Sequence, residues 1–217
     1  MKDRIIYYID GLNLYRGLKD AKLQYYYWLD LIKMVTNLNS ENQTLEKVKY
    51  FTSIFSEKVN PCKTQWQKVY LKALGTFENL EIFKGRHQAT TEQCKKCGNT
   101  YTKYSEKLTD VNIACEMFED VYKKNCDAIG LVTADCDLKP VVEKIFNIFK
   151  NIKIFALFPP KRYSVELKQA CTNCRVISRT LIKNCQLPDY ILKKSGIKLY
   201  NPKKFVEHFR EENRLRQ

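Results

Sequence analysis

Residues 4–10, RIIYYID, form an apolar and aromatic run that reads as a buried strand. DAIGLVTAD at 127–135 reads as a second, and IKIFALFPP at 152–160 as a third, stopped by two prolines. LKPVVEKIFNIFK (138–150) and SVELKQA (164–170) are predicted helices. In KLTDVNIACEMFEDVYKK (107–124), Val111, Ala114, Cys115, Phe118 and Tyr122 recur at helical spacing and predict one shared face. QKVYLKAL (67–74) and LEIFKG (80–85) read as two further strands, with YYWLDLIKMVTNL (26–38) as a helix supplying the first crossover. Strands alternating with helices imply an α/β fold, its mostly parallel sheet covered by helices on both faces.

A polar stretch between Lys84 and Leu108 fits no core element and reads as an insertion at about 84–108. From Cys185 the pattern loosens into a basic loop and a terminal helix starting near Pro202. The expected organisation is one main domain over residues 1–184 and a basic extension over 185–217.

Composition narrows the class. The 217 residues are 44% hydrophobic with only 7 Gly, which suits a globular chain. Lys and Arg number 38 against 24 Asp and Glu, and the resulting net charge of +14 favours an anionic partner. No run is long and apolar enough for a membrane span, and no signal-peptide core precedes the first strand, so a cytoplasmic protein without a membrane partner is expected. Nine scattered cysteines do not form a secreted disulfide framework and predict reduced thiols.

Against that basic background stand carboxylates at strand ends. Asp10 closes the first strand, Asp135 and Asp137 follow AIGLVT, and Asp110 lies at or near the start of a helix. In a parallel sheet, ligands bind outside the carboxyl ends of the strands, so three distant segments can converge there. Clustered carboxylates repel one another and would repel phosphate, which calls for a hard divalent cation, Mg²⁺ or Mn²⁺. Such an ion activates water and stabilises an in-line displacement at phosphorus. The plainer reading makes Asp110 or Thr109 a helix N-cap and Asp137 the cap of the next helix.

YIDGLNLYRG (8–17), EKLTDVNIACEM (106–117) and LVTADCDLKPVV (131–142), in that order, resemble the NYN domain family of PIN-like nucleases. IFALFPPKRYSVELKQA (154–170) is similar to its DUF88/LabA-like branch, and the resemblance runs from about Arg4 to Ser178. It implies a PIN-like three-layer α/β/α sandwich and metal-dependent cleavage of RNA. Asp10 and Asn13 match the D-x-x-N signature, Asp110 the acidic residue opening the central helix, and Asp135 with Asp137 the S/T-x-D-x-D turn, here with Cys136 between them. Asp10, Asp110 and Asp135 are then the Mg²⁺ or Mn²⁺ ligands, with Asn13 and Asp137 completing the catalytic set. Asn13 is expected to orient Asp10 or a water, and Gly11 to let the chain turn away.

HQATTEQCKKCGN contains C-x-x-C-G, and Cys94, Cys97 and His87 are candidate ligands for one structural Zn²⁺, the alternative being a polar hairpin with free thiols. The second pair, Cys171 and Cys174, is expected to pack in or near the core. Lysines interleaved with Tyr101 and Tyr104 suit single-stranded nucleic acid, as do Lys161, Arg162 and Tyr163 after the third strand; Arg16 and Lys107 join them as candidate substrate contacts.

The expected activity is a metal-dependent endoribonuclease acting on single-stranded or structured RNA, with homodimerisation left open. The alternative is a catalytically silent RNA-binding module on the same fold. An aspartyl phosphatase would want D-x-D where Leu12 stands, and no G-x-G-x-x-G follows the first strand to suggest a dinucleotide enzyme. Neither His87 nor His208 lies in a recognisable nucleophile triad.

Overall fold

In the computed structural model, which describes residues 2–202 apart from 56, 58, 59 and 94, the first apolar run becomes β1 (Asp3–Asp10), buried from Ile5 onward. There follow α1 (Gly11–Asp20), α2 (Leu31–Thr36), β2 (Gln43–Thr52), α3 (Pro61–Leu74) and β3 (Leu80–Lys84). A hairpin, β4 (Arg86–Gln93) and β5 (Thr100–Lys107), leads into α4 (Thr109–Tyr122) and β6 (Ala128–Val132). A short 3-10 turn at Cys136–Leu138 opens α5 (Lys139–Ile148), then come β7 (Lys153–Phe158), α6 (Val165–Ala170), β8 (Asn173–Val176) and α7 (Arg179–Asn184). A small antiparallel ribbon, β9 (Tyr190–Leu192) with β10 (Lys198–Tyr200), completes the described elements.

The main sheet runs β3-β2-β1-β6-β7-β8, and every neighbouring pair is parallel. Side chains alternate across β1. Tyr7 and Ile9 join Leu14, Leu18, Met34 and Leu74 of α1, α2 and α3 in one core. Ile6 and Tyr8 join Ile113, Met117, Val142 and Ile145 of α4 and α5 in the other. The fold is therefore the expected PIN-like α/β/α sandwich. Its central strands are apolar throughout because both faces are covered. Gly130 of β6 is needed by that packing, since a Cβ there would lie 2.2 Å from the Tyr7 ring beside it.

Several sequence expectations are corrected. Residues 67–74 are the last turns of α3, not a strand; Asn60 caps that helix and Pro61 occupies its first turn. Only Leu31–Thr36 of the 26–38 segment is α-helical, and the first crossover begins with α1, directly after Asp10. β2 is masked in the sequence because its lysines interrupt the apolar pattern, and one of them, Lys49, is buried. The α4 stripe is also rotated. Ile113, Met117 and Val121 face the core, whereas Val111 and Tyr122 are 59% and 70% exposed. The insertion is the β4–β5 hairpin, paired in register from Arg86 with Lys107 to Gln93 with Thr100 and separate from the main sheet. The terminal helix expected from Pro202 lies almost wholly outside the described residues.

A polar contact decides which way α4 faces. Lys49 Nζ, buried on β2, lies 2.5 Å from Asp120 and 2.6 Å from Glu116, both on α4. Tyr8 Oη donates to the same Asp120 carboxylate, and Asn125 Nδ2 donates to its other oxygen. Burial alone would lower the Lys49 pKa, but hydrogen bonds to Asp120 and Glu116 outweigh it and raise the value above 10.5. Burial likewise penalises the charged Asp120, yet Asn125, Lys49 and Tyr8 hold its pKa below 3.8.

Replacing Asp120 with Ala takes one of two carboxylates from buried Lys49 and the acceptor from Tyr8 Oη, leaving only Glu116 on the lysine, and should cost about 1–3 kcal/mol in urea unfolding. The depressed Asp120 pKa makes its contribution fully present above 3.8 and lost as pH falls through the folded value; the raised Lys49 pKa makes its contribution present below 10.5 and lost as pH rises through the folded value. The gap between wild type and Asp120→Ala should accordingly be flat from about pH 5 to pH 9 and close at both extremes. A gap already closed at neutral pH would remove the ion pair from the account.

Candidate active site

β1 and β6 are neighbours, and from them the chain order departs in opposite directions, to β2 and β3 on one side and to β7 and β8 on the other. Such a reversal leaves a crevice outside the carboxyl ends of the two strands. Ile9 pairs with Val132, so the next residues, Asp10 and Thr133, emerge side by side.

Asp10 is only 4% exposed and is hydrogen-bonded on both oxygens. One accepts from the Asn13 backbone N–H at 2.9 Å, which makes Asp10 the N-cap of α1. The other accepts from the Thr133 hydroxyl at 3.0 Å. Thr133 Oγ1 in turn accepts from the Asp135 N–H at 3.1 Å, and Asp135 caps the following 3-10 turn by accepting from the Asp137 N–H. Bonds to both oxygens, from two different segments, fix the orientation of the Asp10 carboxylate. The Asn13 side-chain oxygen accepts from the Ala134 N–H at 3.2 Å and braces the turn after β6, while its backbone N–H is the group that holds Asp10. The chain turns from strand to helix at Gly11, and what glycine supplies there is space, not a left-handed conformation. Gly11 begins α1, and a Cβ there would meet the Tyr50 hydroxyl at 2.6 Å and the Phe51 carbonyl at 2.7 Å.

The third carboxylate arrives from α4. Leu108, in a left-handed conformation with φ of 75°, is the cap position of that helix, so Asp110 lies within the first turn and is not the N-cap; Thr109 is not the cap either. Asp137 does not cap α5, whose cap position is Leu138. Asp10, Asp110 and Asp135 each offer an oxygen within 4.8 Å of the others. Asp135, Cys136 and Asp137 form a second such group, sharing Asp135. Two oxygens on opposite sides of one Mg²⁺ are about 4.2 Å apart, twice the ~2.1 Å bond, so small side-chain rotations fit the first trio to one hard cation. The donor set is all oxygen, as Mg²⁺ and Mn²⁺ prefer.

The NYN domain family matches residues 4–178. The chain belongs to the NYN domain family. This NYN domain falls within the PIN-like nuclease superfamily, and no curated protein matches it. Among solved structures it is similar to a protein of unknown function from Vibrio parahaemolyticus, with a TM-score of 0.55 and 20% identity over 86% of this chain and 97% of that one. That likeness concerns the fold.

The outer contacts are more scattered. Arg16 is exposed on α1, Lys107 is exposed at the end of β5, and Lys161 is exposed with φ of 61°. Tyr163 is half exposed, with its ring 4.7 Å from that of Phe158. Arg162 is ion-paired with Asp20 of α1 at 2.5 Å. Of the zinc candidates, Cys94 and the His87 side chain lie outside the described residues, and Cys97 is exposed. Cys171 and Cys174 are partly buried against Phe158 and Leu167, and burial pushes the Cys171 thiol up to about 12.

Thr133 is the residue that sequence reasoning passed over, although it opens the S/T-x-D-x-D turn. Thr133→Val removes a donor from buried Asp10 and an acceptor from Asp135, and urea denaturation should show a loss of about 1–3 kcal/mol. A variant as stable as wild type would mean that the hydroxyl does not join the two strand ends.

Proposed function

We propose that this NYN domain is a metal-dependent endoribonuclease that hydrolyses RNA phosphodiester bonds, acting in the cytoplasm. The observation that carries the reading is the trio Asp10, Asp110 and Asp135, drawn from three distant segments to within 4.8 Å at the sheet's reversal point. Asp10 and Asp135 are held by Thr133 and by their own capping bonds, so the carboxylates are oriented before anything binds. Asp110, on a helix held by Lys49, supplies the third charge. When bound there, Mg²⁺ or Mn²⁺ supplies neutralising charge, Lewis acidity toward a phosphate oxygen and a more acidic water. Asp137, exposed beside this trio, suits a proton acceptor near the attacking water. Arg16, Lys107, Lys161 and Tyr163 suit contacts along the RNA backbone and bases, consistent with the charge of +14. The same reading assigns residues 1–184 to the nuclease domain of the DUF88/LabA-like branch and 185–217 to a basic extension. A structural Zn²⁺ on the β4–β5 hairpin, through Cys94, Cys97 and His87, belongs to it as well.

A silent RNA-binding module draws support from one feature: Asp10 and Asp135 both cap helical turns and so have structural work without a metal. Asp110 separates the two readings because it is not a cap. Asp110→Asn should lower RNA cleavage in Mg²⁺ or Mn²⁺ by at least about 100-fold, the scale on which removal of a preorganised electrostatic group acts, with RNA affinity in EDTA retained. Absence of cleavage by the wild type across diverse single-stranded and structured RNAs, in either metal, would leave only the binding module.

A further inference from the structure

On the other side of β1 from the carboxylates, the same edge of the sheet opens into a cavity of about 460 Å³. This is the size of small-ligand pockets, roughly 300–1,000 Å³. Gly11 and Leu12, the two residues after Asp10, line it, as do Thr52 and Ser53 at the end of β2. Its walls are rings: Tyr15 of α1, Tyr27 and Trp28 from the loop before α2, Phe55 beyond β2, and Trp66 and Tyr70 of α3. We propose that this cavity is a base-binding subsite, in which one unstacked nucleobase of the RNA substrate is held while the adjoining backbone crosses Gly11 to the carboxylates. The proposal rests on the ribonuclease reading above.

Three features favour a base over another apolar ligand. The first is the ring chemistry, since aromatic side chains reach the cavity from several elements, the more exposed tryptophan, Trp66, among them, and base stacking on aromatic side chains tolerates any sequence. The second is charge. Lys63 Nζ sits 4.4 Å from the Tyr15 ring centroid and 3.8 Å from that of Phe55, a cation held against the cavity wall where a nucleotide's phosphate would follow its base. The third is continuity. A Cβ at position 11 would lie 2.6 Å from the Tyr50 hydroxyl, so only glycine lets this tyrosine of the cavity wall close up against the segment carrying Asp10. The wall is also braced before binding. Gln67 donates to the Ser53 carbonyl and accepts from the Phe55 N–H, while Tyr70 donates to the Leu29 carbonyl. Trp66 remains 42% exposed on α3, an uncovered indole at the edge of a ring-lined cavity.

Both tryptophans of the protein line the cavity, so its intrinsic fluorescence reports on this site without requiring turnover. A short single-stranded RNA titrated in EDTA should quench tryptophan emission, and Trp66→Ala should weaken binding by about tenfold, within the range for one stacked base. Abasic substitution at one RNA position should cost the wild type a similar factor and cost Trp66→Ala nothing; the abasic arm uses unaltered protein and is independent of any folding defect. RNA that binds without changing the emission, and equally well to Trp66→Ala, would overturn the subsite; cleavage of that RNA in Mg²⁺ would still leave the nuclease reading standing. Quenching with the abasic pattern but no cleavage in either metal supports the subsite and removes the nuclease. No RNA binding at all overturns both.

Discussion

The parallel pairing of β1 with β6 is the contact on which the rest of the molecule depends. Tyr7 opposite Gly130, Tyr8 opposite Leu131 and Ile9 opposite Val132 lock the register, and Gly130 is what lets the Tyr7 ring lie against the neighbouring strand. Register fixes more than the core. It makes Asp10 and Thr133 leave the sheet together, at the one place where the strand order reverses. A one-residue slip would turn Asp10 to the opposite face, away from α4 and Asp110.

Three carboxylates within 4.8 Å repel one another, and the fold offsets this locally. Asp10 accepts at the amino end of α1 and Asp110 lies in the first turn of α4, where the helix dipoles favour negative charge. The Thr133 hydroxyl links two members of the cluster, donating to Asp10 and accepting from the Asp135 amide. Further from the edge, the Lys49 ion pairs with Asp120 and Glu116 set the rotation of α4 about its axis. Ile113 and Met117 would pack in more than one rotation; a buried lysine between two acids accepts few.

Two environments meet at the carboxyl edge of the sheet. On the α4 side stand the acids, and on the α1 and α3 side the aromatic cavity with Lys63 at its rings. Gly11 is the narrow wall between them, its missing side chain allowing Tyr50 and the start of α1 to touch. From the turn after β7, Arg162 ties Asp20, at the other end of α1, to the far half of the sheet.

Much of this was legible along the chain. The apolar runs of β1, β6 and β7 are continuous because both faces are buried, and the acids that follow the first two stand out for the same reason. The α/β class and the strand-end acids Asp10 and Asp135 follow from those local patterns, while Asp110 as a metal-ligand candidate rests on the resemblance to the NYN family. Other elements were hidden by tertiary compensation. Lys49 makes β2 look polar until Asp120 and Glu116 are brought to it, and the Val111–Tyr122 stripe of α4 looks buried until Lys49 turns that helix the other way. For α3 the sequence does carry the start signal, Asn60 followed by Pro61, that makes residues 67–74 helical. What the sequence by itself determined was the buried strands β1, β6 and β7 and the acids that follow the first two, since burial and charge are properties of each residue in its own segment. Only the tertiary structure decided that Thr133 joins Asp10 to Asp135, that Asn13 braces the β6 turn, and that Arg162 pairs with Asp20, because each of those bonds spans more than a hundred residues or depends on one that does.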